Sequence, residues 1–266
     1  MDYYDKALLI FRAIGERSKE ADTLNDIGLI NFVLGEKQKA LDYYDKALLI
    51  SRAIGDSYLE ADALKSIGSV YYSLGEKQKA LDCFNKALLI RRAIGDRHGE
   101  VHTLDFIGLV YSSLGEKQKA LDYYNQELQL ARAIGSKSLK TTELHIIYNL
   151  ARVEHAQGNL VEALAKMEEA IKLLEYMGTK RIGWESRANH FQYMQRWYEF
   201  YIDLLMQLHQ KNPSAGYNIL ALEATERARA RSLLDLLAES RVGIHQGIDV
   251  QLLEREKPTT NAYQQS

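Results

Sequence analysis

The chain has 266 residues, of which 46% are hydrophobic and 26% are charged, a composition typical of a folded, soluble protein. Its 34 basic residues nearly balance its 36 acidic residues, so the net charge gives no overall attraction to nucleic acid or to an anionic membrane. No run reaches the roughly 18 to 20 apolar residues that a membrane-spanning helix needs, and the N-terminus does not resemble a secretory signal. A single cysteine, Cys83, excludes an intrachain disulfide and any multi-cysteine metal site, which favours a cytoplasmic location.

The sequence repeats with a period of 40 residues. The octapeptide GEKQKALD occurs three times, at 35–42, 75–82 and 115–122. The same register aligns four copies of Ala-Ile-Gly, at 13–15, 53–55, 93–95 and 133–135. Self-similarity at a fixed period of this length is typical of proteins that stack one small structural unit on the next.

Each period contains two predicted helices. Within the second period, apolar residues recur three and four positions apart over 57–74 and again over 77–94, which is the spacing of amphipathic helices. Gly75 predicts the tight turn between them. Ser57 and Glu60 have the spacing of a capping box, which predicts the start of the first helix and is intact only in this period.

The distribution of small and large residues predicts how the helices pack. Gly68 and Ala80 fall where the two helices of one pair approach closely, and Tyr44 and Phe84 are expected to fill the gap to the next pair. This arrangement resembles the tetratricopeptide repeat (TPR). Its signature positions are occupied in order, in the second unit, by Leu64, Ile67, Gly68, Tyr71, Gly75, Ala80, Phe84 and Ala87.

Two features depart from the family pattern: the position of its tryptophan holds leucine, and its closing proline is replaced by arginine, at Arg52, Arg92 and Arg132. The longer unit resembles the 40-residue repeats of kinesin light chains. The resemblance implies an all-α fold, a right-handed superhelical solenoid of antiparallel helix pairs. It also implies a scaffold in a larger signalling or regulatory protein that binds a protein or peptide in its concave groove.

Residues 1–15 match residues 41–55 almost letter for letter, so we expect the chain to begin on the second helix of an incomplete first repeat. Such a helix has an uncovered apolar face, which predicts self-association. Four units of about 40 residues are predicted over 16–178, the fourth in diverged form and ended by a turn at its last glycine, Gly178. An enlarged C-terminal helical pair is predicted over 179–240, followed by a connector and disordered tail over 241–266.

The first helix of the C-terminal pair is predicted over 182–210. It carries an aromatic stripe with Trp184, Phe191, Met194, Trp197, Tyr198 and Tyr201. A base-stacking surface is one interpretation, but the helical spacing favours packing in the core. Pro213 suits the first turn of the final helix.

The segment 224–238 resembles the last repeat helix before the caspase-like CHAT domain of bacterial TPR-CHAT proteins, and 247–256 resembles the connector into that domain. This resemblance implies an alternative function, in which the array is the regulatory sensor arm of a CHAT-family protease. The catalytic histidine and cysteine of that family belong to a domain that this chain lacks.

No pattern in the chain predicts catalysis, so we expect no enzyme activity and no cofactor. Cys83 occupies the position of Tyr43 and Tyr123 in sister units, which favours a packing role. His98 and His102 lie four residues apart on one helix but lack a third ligand, so no metal site is predicted. Nucleic-acid binding is a third hypothesis, which the near-neutral charge supports poorly.

In tetratricopeptide arrays the first helices line the concave groove, and the resemblance places the groove on positions that vary while the scaffold repeats. We expect ligand contacts from eight of these residues: Asn25, Phe32, Lys65, Tyr72, Asp105, His145, Asn149 and Arg152. Asparagine amides suit a ligand's backbone, lysine and arginine suit a carboxylate, and the aromatic rings suit an apolar anchor. Drift at solvent-exposed sites is an alternative explanation of the same variation.

Overall fold

The computed structural model describes residues 2–136, 139–180, 187–230 and 233, and within them every long regular element is an α-helix. The helices are α1 (Asp2–Ile14), α2 (Arg17–Val33), α3 (Lys37–Ile54), α4 (Ser57–Ser73), α5 (Lys77–Ile94), α6 (Arg97–Ser113), α7 (Lys117–Ile134), α8 (Lys140–Gln157), α9 (Leu160–Lys180) and α10 (Arg187–Lys211), with a further helical run over 217–230. The chain divides into two compact units, Met1–Gly183 and Trp184–Ser266. The predicted all-α solenoid of antiparallel pairs is confirmed.

Within the first compact unit, α2 to α9 form four consecutive pairs, called pair 1 (α2, α3) to pair 4 (α8, α9), and each helix packs on the next along the chain. The helices reverse direction at glycines. Gly75 connects α4 to α5 with φ +79°, as predicted, and Gly55 ends α3 with φ +70°. Glycine adopts this left-handed conformation without the steric cost that a Cβ atom brings.

The start of α4 is capped by Asp56, not by the predicted capping box. The carboxylate of Asp56 accepts a hydrogen bond from the backbone N–H three residues later, at 3.0 Å. Asp96 caps α6 in the same way, so the cap is not confined to one period. The prediction for Ser57 and Glu60 is wrong because aspartate, an equally good cap, lies one residue earlier. Glu60 instead binds Arg52 of the preceding helix at 2.7 Å.

Within pairs 1 to 3, a buried aromatic ring on the second helix rests against a glycine on the first. The three contacts are Tyr44 on Gly28, Phe84 on Gly68 and Tyr124 on Gly108. A Cβ atom built on any of these glycines would lie 2.6 Å from the nearest ring carbon, well inside van der Waals contact. The predicted close approach at Gly68 is confirmed. The expectation that Phe84 fills only the gap to the next pair is incomplete: it closes its own pair and also stacks on Phe106 of the next, with ring centroids 5.1 Å apart.

The arginine that replaces the family's closing proline links each second helix to the next pair. It binds a glutamate in the first turn of the following helix, in Arg12–Glu20 (2.8 Å), Arg52–Glu60 (2.7 Å), Arg92–Glu100 (2.6 Å) and Arg132–Glu143 (2.9 Å). A lysine at the start of each second helix also donates to a backbone carbonyl at the end of the next first helix, in Lys37 to Ser73, Lys77 to Ser113 and Lys117 to Ala156. Residues that repeat in sequence therefore make repeated contacts between pairs.

Pair 4 is out of register with the 40-residue period. Its arginine–glutamate link spans 11 residues instead of 8, and its turn glycine, Gly158, comes 43 residues after Gly115. Three extra residues therefore precede the buried face of α8. In the corrected register Ala151 takes the place of Gly108 and Met167 that of Tyr124, and both are fully buried.

Two predicted boundaries near the end of the repeats need correction. Gly178 does not end α9, which continues to Lys180. Pro213 does not begin the final helix, because Pro213–Ala215 form a short 3₁₀ turn that Gly216 closes with φ +77°. Helical structure resumes at residue 217.

The first predicted helix of the C-terminal pair is confirmed over α10, while residues 182–186 lie outside the described residues. Trp197 and Tyr198 are buried, which supports the core interpretation of the aromatic stripe at these positions. Trp184 and the side chains of Phe191 and Met194 lie outside the described residues, as does most of the chain beyond 230.

The ring-on-glycine contact gives a stability prediction. Gly68→Ala is expected to lower the free energy of unfolding by about 1 kcal/mol or more, because overpacking costs about 1–3 kcal/mol while the helix propensity of alanine returns at most about 1 kcal/mol. Phe84→Leu in the same chain is expected to relieve part of that cost. Urea denaturation of both single variants and the double variant measures the coupling; strictly additive effects would contradict a direct contact.

Candidate peptide-binding groove

The inner face of the solenoid is formed by the first helix of each pair. α2 contacts α4, and α4 contacts α6, whereas the second helices α3, α5 and α7 meet one another at isolated positions at most. A stack whose elements lie closer on one side curves toward that side. In pairs 1 to 3 the first helices therefore lie closer together than the second helices, which places them on the inner side of the curve and makes their exposed face the candidate groove.

The predicted groove residues all lie on first helices. Seven of them are half-buried and one, Arg152, is exposed. The half-buried set consists of Asn25, Phe32, Lys65, Tyr72, Asp105, His145 and Asn149. Partial burial leaves an edge or a polar end of each side chain accessible to a ligand.

Three of these residues, from three consecutive pairs, influence the buried phenol of Tyr124. Burial raises the pKa of Tyr124, the charges of Asp105, Glu127 and Tyr72 raise it further, and Arg152 lowers it. Tyr72, Asp105 and Arg152 therefore all lie within electrostatic range of one buried hydroxyl.

The shifted register of pair 4 changes which residues share a groove position. Arg152 takes the position of Leu109 and keeps a place on the groove face, as does His145. Asn149 takes the position of Phe106, the ring that stacks across to the preceding pair. The guanidinium of Arg152 lies over the ring of Tyr148, 5.8 Å from its centroid.

The remaining predicted residues lie in pairs 1 and 2. Phe32 packs against the core shared by these pairs. The side-chain oxygen of Asn25 is buried and accepts no hydrogen bond from the described residues. Lys65 lies near His102: burial lowers the pKa of that histidine, and the positive charge of Lys65 lowers it further.

The acidic side chain at one groove position, Asp62, is bound by a buried arginine of the scaffold. Arg91, on α5, binds the carboxylates of Asp62 and Asp96 and is 3% exposed. Gly99 makes room for it, because a Cβ atom there would lie 1.6 Å from Nη1 of Arg91. The Asp62 carboxylate is therefore engaged within the scaffold, while Asp105 in the next pair is not.

Sequence reasoning missed Glu127. This residue lies on α7 with 1% of its surface exposed, and burial together with Asp105 raises its pKa well above the ordinary value. Burial also raises the pKa of Asp105, to about 6. The available signal was a break in the repeat, since Ala47 and Ala87 occupy the same position in sister units.

The other chemical candidates have structural roles or lack partners for catalysis. Cys83 is half-buried against the core, and burial raises the pKa of its thiol, which keeps it protonated. His98 and His102 belong to no cluster of three or more metal-ligating side chains among the described residues. In the part of the chain that the structure describes, no helix is both long and apolar enough to cross a membrane.

Comparisons with known proteins agree with this architecture. A family model described as tetratricopeptide repeat matches residues 19–93 and 59–133. Among solved structures, BtubC (BKLC) from P. vanneervenii is similar with a TM-score of 0.70 and 14% identity, over 87% of this chain and 90% of that one. The comparison with curated proteins found no match.

Two further structures are similar at low identity. A putative kinesin light chain with nearly identical TPR-like repeats from Podosopora anserina has a TM-score of 0.56 and 16% identity, over 80% of this chain and 95% of that one. The Rap conjugation gene regulator of the plasmid pLS20, in complex with the Phr* peptide, has a TM-score of 0.52 and 18% identity, over 79% and 53%. At these identities the likeness establishes the fold alone. The family match shows that residues 19–133 consist of tetratricopeptide repeats.

Proposed function

We propose that the chain is a protein- or peptide-binding module of a larger signalling or regulatory protein, and that it holds its ligand in the concave groove. The observation that carries this proposal is the contrast between a repeating scaffold and a varied groove. At one groove position the four pairs present Asn25, Lys65, Asp105 and Tyr148. Three near-identical pairs and the diverged fourth pair thus present four different side chains at one position, so the groove can distinguish ligands by the residue that each pair contacts.

The chemistry of the groove suits an extended peptide. Lys65 and Arg152 offer cations for a carboxylate, Asn25 offers an amide for backbone groups, and Phe32 and Tyr72 offer partly buried rings for an apolar side chain. The Rap regulator, which has a similar fold, was solved with a bound peptide. This supports the capacity of such a solenoid to hold a peptide and leaves the ligand of this chain open.

The repeats themselves supply substitutions that test the groove. Lys65→Asn and Arg152→Leu each introduce the residue that a sister pair carries at that position, so we expect the fold to be retained. Peptides selected from a random dodecapeptide library against the wild-type protein are expected to bind each variant about 5 to 30 times more weakly, since a groove contact of about 1–2 kcal/mol is lost. Fluorescence anisotropy measures the affinities.

The matched control is Leu89→Gln on the outer face. Leu89 is 68% exposed, and the sister helix carries Gln129 at this position. Binding is expected to be unchanged in this variant, and the melting temperatures of all three variants are expected to stay near that of the wild type. An equal loss of binding in the control and in the groove variants would contradict the groove assignment.

Self-association through α1 is a second property that the side-chain exposures support. Tyr4 and Ile10 are 38% and 57% exposed, whereas their counterparts Tyr44 and Ile50 are 2% and 9% exposed. We propose that a second copy of the chain covers this face of α1, because Tyr44, the counterpart of Tyr4, is buried against Gly28 of the helix that precedes it.

Light scattering over a range of protein concentrations tests the proposed self-association. The wild-type mass is expected to rise with concentration, and Ile10→Lys is expected to stay monomeric because it places a charge in the apolar contact. A constant monomer mass for the wild type would refute the contact.

The regulatory arm of a CHAT-family protease remains our alternative proposal. The segments that carry this resemblance, 224–238 and 247–256, lie mostly outside the described residues. Sequencing of the gene downstream of Ser266 tests it, since a stop codon without a protease domain would remove this alternative. Because the chain has a single cysteine, Cys83, we propose a reducing compartment, the cytoplasm.

A further inference from the structure

One residue inside the scaffold breaks the rule that core positions repeat. Glu127 lies on α7 at a position that holds a small apolar residue in the other pairs, at Ala47, Ala87 and Ala170. These alanines are at most 3% exposed, and Glu127 is 1% exposed. A carboxyl group has thus been placed in a site that the fold otherwise fills with a methyl group.

The carboxyl group of Glu127 has no compensating partner in the part of the chain that the structure describes. Neither of its oxygens accepts a hydrogen bond. By contrast, the other buried glutamates, Glu20 and Glu143, each bind two cationic side chains at distances between 2.6 and 2.9 Å. Buried carboxyl groups without partners are rare because no hydrogen bond compensates for the loss of hydration, and those that persist call for an explanation.

A second acid lies beside it on the groove side. Asp105, on α6, is half-buried at a groove position and is close enough to Glu127 for its charge to oppose ionisation there. The charges of both carboxyl groups raise the pKa of the buried Tyr124 phenol. The groove cation Arg152 lies over the ring of Tyr148 in the next pair.

We propose that half-buried Asp105 and buried Glu127 form an acidic pocket in the floor of the groove, which receives a lysine or arginine side chain of the bound peptide. The proposal rests on the proposed function and names one anchor of its ligand. The cationic end of such a side chain attracts the partly exposed Asp105 and supplies the hydrogen bonds that the oxygens of Glu127 lack among the described residues. The described residues around the pocket hold no third acid, histidine or cysteine that would complete a metal site.

Two peptide pools test the pocket directly. Both consist of random nonapeptides that are acetylated and amidated, so that their termini carry no charge. One pool contains lysine and arginine, and the other replaces them with norleucine and citrulline. Immobilised wild-type protein is expected to retain the cationic pool about tenfold more strongly, as measured by mass spectrometry of the eluted peptides.

Three variants distinguish binding in the pocket from a general electrostatic attraction between the protein and cationic peptides. Glu127→Ala installs the sister residue, and Glu127→Gln keeps the size but removes the charge; both are expected to lose the preference for the cationic pool. Glu116→Gln changes the net charge by the same amount at an exposed surface position, and this variant is expected to keep the preference for the cationic pool. The melting temperature of Glu127→Ala is expected to rise by about 3 °C or more at pH 7, because a buried acid without a partner is removed.

The possible results distinguish the pocket from the proposed function. A preference for the cationic pool that persists in both Glu127 variants would overturn the pocket. Equal retention of the two pools by the wild type would also overturn it, while leaving peptide binding in the groove intact. Retention of neither pool would contradict the proposed function and the pocket together.

The pH dependence of stability gives an independent readout. The folded-state pKa of Asp105 is about 6, above its ordinary value of 3.8. The acid pair therefore leaves the free energy of unfolding unchanged below about pH 4 and lowers it increasingly as the pH rises through 6. The charges of both acids act on Tyr124 of α7, whose pKa is also affected by Tyr72 on α4 and Arg152 on α8. The melting temperature of Glu127→Ala is therefore expected to exceed that of the wild type by more at pH 7 than at pH 4. A difference that does not change with pH would contradict the buried acid pair.

Discussion

The contact between an aromatic ring and a glycine sets the geometry of the first three helix pairs. Because a Cβ atom on Gly28, Gly68 or Gly108 would lie 2.6 Å from the facing ring, the two helices of each pair can approach only while that position stays glycine. The same ring position also contacts the next pair, as Phe84 does through Phe106. The aromatic residue thus fixes the spacing of the two helices within its pair and also contacts the next pair. This explains why these residues repeat with so little change.

A scaffold fixed in this way confines variation to positions that do not hold it together. The arginine–glutamate and lysine–carbonyl links recur from pair to pair, so each unit presents its groove residues from the same place. Groove chemistry can therefore change without a change in fold. Glu127 is the informative exception, because it alters a buried position where the alanine of the other pairs would be more stable. A locally unfavourable residue beside a binding face is the pattern expected of a site kept for function.

The sequence predicted the fold well because self-similarity and small-residue positions report packing directly. It predicted the Gly75 turn and the close approach at Gly68, but it could not show that three extra residues shift α8, since pair 4 has diverged. That shift gives Arg152 the register position of Leu109 and Asn149 the register position of Phe106. Asp56 was missed as a cap because Ser57 and Glu60 offered a plausible motif. In the sequence, Glu127 stood out only because it breaks the repeat. Its burial and its proximity to Asp105 depend on contacts between helices, which the sequence does not show.

The central claim is that the ligand lies against the first helices, on the inner face. A photo-reactive p-benzoylphenylalanine introduced in place of Ser69 on the inner face, or in place of Leu89 on the outer face, tests it most directly. Ser69 is half-buried on α4, and Leu89 is exposed on α5. After irradiation with a library-selected peptide, we expect a covalent adduct from position 69 and none from position 89. Adducts from position 89 alone would contradict the account.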